Sequence, residues 1–201
     1  MTRVIAISGV HGCGKSTFIA DLQRRLQCQL FERSPFRNLD DVFARMVGRL
    51  AAHIADARAQ RYAAEESGTG ILLADRCALD VLAYVQTFRS LAVLTAVEHA
   101  SFLAAIEALY TPELLPDGIL FLRPELSWVQ ERIAERQAES GPKWKEEVPG
   151  FLAAAYDSFD SVFLHGSSTI GMPSMTTIDV TGSEKRCEAA AAWLREMRWL
   201  P

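Results

Sequence analysis

The chain lacks the features that mark several common protein classes. Its 201 residues hold four cysteines, Cys13, Cys28, Cys77 and Cys187. They form no C-x-x-C pair, and no histidine stands at zinc-ligand spacing from them, which argues against a zinc fold or a disulfide scaffold and for a reducing compartment. No apolar run reaches the ~18 residues of a membrane span. Met1, Thr2 and Arg3 lead straight into the strand-like run Val4-Ile5-Ala6-Ile7-Ser8, so no secretory signal is expected. The reading is a cytoplasmic protein with no membrane partner. A net charge of −4 lacks the basic excess that nucleic-acid binding normally needs, so no nucleic-acid partner is expected. Asparagine occurs once, at Asn38 before Leu39, so the guanine-reading N-K-x-D element of GTPases is missing. There is no internal repeat, low-complexity tract or dividing linker, so residues 1–201 read as one domain. The sequence is compatible with either a monomer or a homodimer.

What is present alternates between two patterns. Five short apolar or β-branched runs predict buried parallel strands: Val4–Ser8, Cys28–Glu32, Ile71–Asp75, Gly118–Leu122 and Thr176–Val180. Helical spacing fills the intervals. Helices are predicted over Thr17–Leu26, Asp40–Glu66, Leu79–Tyr110 (as one helix or two) and Leu126–Glu139. Another should open with Pro149 and run to about Leu164. Thr181 and Glu184 form a capping-box pattern before a last helix, Lys185–Met197. Such alternation predicts an α/β fold, a parallel sheet covered by helices on both faces. Glu139 to Gly150 is the most polar stretch and reads as a mobile surface segment.

One motif carries chemistry directly. Gly9-Val10-His11-Gly12-Cys13-Gly14-Lys15-Ser16 matches G-x-x-x-x-G-K-[ST] in full, after an apolar strand and before a helix. Glycines let the backbone curl so that its N–H groups face phosphate oxygens, and the following helix adds its positive dipole end. In this P-loop, Gly9, His11, Gly12, Cys13, Gly14, Lys15, Ser16 and Thr17 are the candidate ATP-binding residues. Lys15 is expected at the β- and γ-phosphates, and the Ser16 hydroxyl on Mg²⁺. Hydrolysing ATPases usually end a strand with Asp-Glu, whereas here Arg76 follows Asp75. Transfer to a bound small-molecule phosphate acceptor is therefore favoured over hydrolysis, with a hydrolysing switch and a kinase of a non-nucleoside as alternatives.

Five further candidates lie near strand ends or on one helix. Asp75 and Arg76 close the third strand, at the sheet edge where sites of open α/β folds form. Asp75 could help hold Mg²⁺ or cap the next helix, and Arg76 could neutralise the transferring phosphate. Glu32 is either a general base for an acceptor hydroxyl or a solvated strand end. Arg132 and Arg136 share a helix face, beside the acidic row Glu131, Glu135 and Glu139. With Lys143 and Lys145 they form either a lid over the triphosphate, across about residues 132–150, or a salt-laced surface. Cys13 sits near a lysine and a helix N-terminus, so its thiol is either an exposed reactive group or turned into the core.

Taken in order, the P-loop, Asp75-Arg76-Cys77-Ala78-Leu79-Asp80 and the Arg132/Arg136 helix resemble P-loop kinases of nucleosides and nucleotides. The likeness is to the thymidylate kinase and deoxynucleoside kinase group and to ribosylnicotinamide-kinase-like ATPases. It implies a three-layer P-loop NTPase fold with sheet order 2-3-1-4-5, a basic role for Glu32, and adenine near Thr181 to Ser183. The chain departs from the group where Arg33 follows Glu32 in place of proline, and at Cys77, where Ser or Tyr is frequent.

Overall fold

The computed structural model describes residues 1–35, 39–67, 70–141, 145–146, 148–166 and 172–200. Five parallel strands form one sheet in the order β2-β3-β1-β4-β5. They are β1 (Thr2–Ser8), β2 (Gln29–Leu30), β3 (Gly70–Asp75), β4 (Gly118–Leu122) and β5 (Ser174–Ile178). The helices are α1 (Lys15–Leu26), α2 (Val42–Ser67), α3 (Ala78–Ser90), α4 (Ala96–Leu109), α5 (Leu126–Ser140), α6 (Phe151–Leu164) and α7 (Ser183–Glu196). Parallel strands require crossovers, and helices in those crossovers bury both sheet faces. That is why the central strand is apolar without alternation: Val4, Ile5, Ala6 and Ile7 are all buried. Helix α1 packs with α7, and α3 with α6. No described helix is long and apolar enough to cross a membrane.

Several boundaries differ from the sequence expectation. Only Gln29 and Leu30 pair with β3, opposite Leu72 and Leu73, and Phe31 adds one N–H bond to Leu73 O at 2.8 Å. Beyond it the edge strand ends, so Glu32 lies outside the sheet. β5 starts and ends two residues early, because its pairing with β4 runs from Gly118↔Ser174 to Leu122↔Ile178. The predicted 79–110 helix is two. Ala92 takes a left-handed φ of 55°, and Thr95 then caps α4 in a true capping box with Glu98, each backbone N–H bonding the other side chain at 3.2 and 2.8 Å. The box expected at Thr181 and Glu184 does not form. Gly182, at φ 91°, precedes α7, and Ser183 Oγ instead donates to Asp21. Helix α6 likewise starts after Gly150 at φ 74°, two residues past Pro149.

Register decides what meets at the carboxyl edge of the sheet. Ile7 lies beside Asp75 and Ser8 beside Phe121. Arg76 N–H donates to Ile7 O at 3.0 Å, two residues before the phosphate loop begins. The opposite edge is held by Asp117, which accepts Val4 N–H at 2.8 Å and pairs with Arg3 and Arg61 at 3.3 and 2.9 Å.

Candidate active site

The loop Gly9–Ser16 leaves the buried end of β1 and turns into α1. Gly12 and Gly14 sit at φ 81° and 87°, where a side chain costs about 1–2 kcal/mol. Space opposes one at Gly12 as well, where a Cβ would lie 2.8 Å from Ile133 Cγ1, while at Gly14 it would lie 2.8 Å from Arg186 Nη1, which would have to move. Lys15 opens α1 and is buried. Its ammonium donates to Gly9 O at 2.7 Å, Val10 O at 2.8 Å and Cys13 Sγ at 3.4 Å. Burial first, then the positive Arg76, lower its pKa. Ser16 and Thr17 are exposed toward the cleft. Cys13 is fully buried, so its thiol is turned inward beneath the loop, and the exposed reactive group is not what the fold produces.

In front of the loop lies a cleft of about 600 Å³ that Asp75, Arg76, Arg132 and Arg136 also line. Asp75 Oδ2 pairs with Arg33 at 2.9 Å, while its Oδ1 is buried with no hydrogen-bond partner among the described residues. Helix α5 places the two distal arginines. Its Val129 and Ile133 are buried, with Ile133 against Gly12, and this leaves Arg132 and Arg136 on the cleft side. Arg132 is exposed and lies over the Trp128 ring at 5.4 Å, and Arg136 pairs with Glu146. Lys143 and Trp144 lie outside the described residues. Glu32 is exposed and lines neither this cleft nor its neighbour.

A second cavity, about 260 Å³, shares His11, Arg33 and Arg76 with the cleft. Its apolar wall is Met46, Val81, Tyr84 and Phe151, and α2 contributes Arg45, Arg49 and His53. Arg76 sits at the junction with φ 76°, a strained value for a non-glycine residue. Its guanidinium donates to Asp80 at 2.8 Å, to Gly9 O at 3.1 Å and to Tyr84 Oη at 3.3 Å. Burial opposes its charge, but Tyr84, Asp80 and Asp75 outweigh that and raise its pKa. His11 stacks on Phe151 at 5.3 Å and its Nδ1 lies 3.3 Å from Tyr84 Oη. Burial, then Arg76, lower its pKa to about 4. It is therefore neutral at pH 7, and its 3.7 Å approach to Glu146 is not an ion pair there.

A family profile described as an AAA domain matches residues 4–165, a span that includes every residue lining both cavities. The chain belongs to the AAA domain family. No curated protein matches it. Among solved structures, deoxyadenosine kinase from M. mycoides with bound dCTP is similar at a TM-score of 0.74 and 16% identity, over 96% of this chain and 99% of that one. The same enzyme with dCMP and a flexible dCDP gives the same values. With bound dATP it gives 0.72 at 16% identity, over 95% and 98%. The shared feature is the fold, a P-loop nucleoside-kinase-like sheet with its surrounding helices.

Two residues of this AAA domain matter more than the sequence indicated. Asp80 is 1% exposed and accepts from Ser8 Oγ at 2.8 Å, Cys77 N–H at 3.0 Å and Arg76 at 2.8 Å. It thus joins the end of β1 to the start of α3. Its legible signal was the i, i+4 spacing from Arg76. Arg186 donates to Cys13 O at 3.1 Å and Val180 O at 2.9 Å, and lies over Trp128 at 5.0 Å. It ties the phosphate loop to the turn after β5, across 173 residues of sequence, so no local pattern could reveal it.

Proposed function

We propose that this AAA domain transfers the γ-phosphate of ATP to a small nucleoside- or nucleotide-like acceptor. The observation that carries the reading is the wall shared by the two cavities. A triphosphate held by the loop would end at His11, Arg33 and Arg76, and a molecule in the second cavity would begin there. Lys15 would leave its loop carbonyls for the β- and γ-phosphates, exchanging weak acceptors for a charged one. Arg132 and Arg136 would cover the phosphates from α5. The donor set suits Mg²⁺, which keeps most of its waters and takes one or two protein oxygens. Ser16 Oγ and the orphaned Asp75 Oδ1 would hold it, and it would neutralise phosphate charge.

A screen of acceptors by ADP release, with hydrolysis in their absence as baseline, tests the reading. We expect at least one nucleoside or nucleotide to stimulate ADP release well above baseline, and Lys15→Ala to abolish it. Nucleotide hydrolysis that no acceptor stimulates would instead identify a hydrolysing switch. Stimulation only by sugars or other non-nucleosides would move the acceptor class while keeping the reaction.

A further inference from the structure

Helix α2 is turned inside out relative to an ordinary surface helix. Its charged and polar side chains face inward: Arg45, Arg49 and His53 line the second cavity, and Asp56 accepts from Ser34 Oγ. Its exposed positions between residues 47 and 62 are Val47, Ala51, Ala55, Arg58, Ala59 and Tyr62, with one charge among them. A solvent-facing helix surface is normally polar or charged. Helix α4 repeats the pattern beside it. Val97, Ala100, Ala104 and Ala108 recur at steps of three and four residues and are all exposed, and Glu107 is the one charge at the exposed positions from 97 to 109.

The two helices run in the same direction. Glu98 lies within reach of the Asp41 charge at their starts, and Arg61 donates to Glu113 O just beyond the end of α4. An apolar groove of about 160 Å³ lies between them, with Phe43, Leu50, Phe102 and Leu109 in its walls. Ten large apolar side chains are exposed among the described residues. Six of them, Leu39, Val47, Tyr62, Val93, Val97 and Leu109, belong to these helices or to the turns that lead into them. Scattered exposed apolar residues need no explanation, but a contiguous strip marks a surface that meets another one.

We infer that this two-helix face is covered by the same face of a second copy of the chain, related by a two-fold axis that crosses the helices. At ~1.5 Å rise per residue and ~10 Å width, the 26 residues of α2 and the 14 of α4 offer on the order of 600 Å² per protomer. Two copies bury roughly 1,200 Å², the lower end of specific interfaces. Small side chains let helix axes approach to ~8 Å, the close end of the packing range. Val97, 75% exposed, is placed to enter the partner's groove beside Leu109. Charge selects the axis. The start of the face is acidic, with Asp40, Asp41 and Glu98, and Arg58 lies toward the far end of α2. An axis along the helices would set like ends together. An axis across them sets Arg58 of each copy toward the acidic start of the other. A face that pairs with itself in this way is isologous and closes at two copies. The partner then braces α2 from outside, while the inner face of α2 forms a wall of the second cavity.

Sedimentation velocity of the full chain at micromolar concentration tests the pairing, and we expect twice the mass of one chain. Ala104→Glu and, separately, Ala55→Glu should each raise the dissociation constant at least ~100-fold, because each sets an unpaired carboxylate in the interface. Both positions are exposed and glutamate is a good helix former, so the far-UV circular dichroism of the separated chains should match the wild type. Arg58→Glu should weaken pairing by about 10-fold, since it turns an attraction for the acidic start into a repulsion. A monomer at these concentrations overturns the inference. So does a dimer that none of the three substitutions weakens, because its interface then lies elsewhere. A dimer that both alanine substitutions split and Arg58→Glu leaves unchanged overturns the crossing axis. The phosphotransferase reading stands or falls separately, on acceptor-stimulated ADP release.

Discussion

Asp80 is the residue through which the phosphate loop, the end of β1 and Arg76 share one carboxylate. Two of its partners are backbone N–H groups, those of Cys77 and Gly9, and two are side chains, Ser8 and Arg76. Asp80→Asn removes the charge facing Arg76 while keeping the size. Breaking a buried pair from one side typically costs about 3–5 kcal/mol, and urea unfolding should show a loss of that order. A loss below about 0.5 kcal/mol would mean that Arg76 finds compensation elsewhere. Cys13 makes the opposite case, a residue whose sequence neighbours misstate its setting. It is 0% exposed, so brief iodoacetamide treatment of the nucleotide-free protein should leave it unlabelled on mass-spectrometric mapping. Rapid labelling would show that the loop opens on the labelling timescale. Lysine, glycine and serine of the loop were legible because a phosphate cradle dictates their spacing. Which way the Cys13 side chain turns was not, because core packing decides it.

Helix α5 has two jobs, on neighbouring parts of its surface. Val129 and Ile133 dock it on the loop at Gly12, and Arg132 and Arg136, three residues on from each, face the cleft. Both pairs follow from i, i+4 spacing in the sequence, but the contact with Gly12 does not. Gly12→Ala would force a side chain at φ 81° against Ile133, so we expect a loss of about 2–4 kcal/mol from left-handed strain and overpacking together. Nucleotide affinity should fall as well. Amide exchange across residues 126–141 reads the other job: ATP should slow exchange there if the arginines close on phosphate, and equal protection with and without ATP would remove them from that role. At the element scale the failures were boundaries. Gly150 and Gly182 adopt positive φ values of 74° and 91° at the two helix starts, and the short edge strand β2 ends where it loses its partner.

For the molecule as a whole, two histidines, one buried and one partly buried, set an acid limit. His11 and His53 each fall from 6.5 to about 4 on folding, chiefly by burial. Between those values the unfolded chain binds more protons than the folded one, so stability must fall as pH drops through the window and be flat above it. Scanning calorimetry should find a Tm that holds above about pH 6.5 and declines toward pH 4, with ordinary carboxylates near 4 entering only at the lower end. His53→Gln should make the decline shallower. A decline unchanged by that substitution would assign it to other groups.

The sequence alone determined the alternation of strands and helices, the parallel sheet and the phosphate loop. Each follows from local rules, namely hydrophobic period, helix and strand length, and the backbone geometry that a phosphate demands. It also named Asp75, Arg76, Arg132 and Arg136, since strand ends and helix faces can be read along a chain. Only the tertiary structure decided that Glu32 lines neither cavity, that Asp80 and Arg186 tie the loop to its surroundings, and that Arg45 and Arg49 meet Arg33 and Arg76 around one cavity. Those relations join residues from separate elements, and what brings them together is the register of β1 with β3 and the packing of α2 across them.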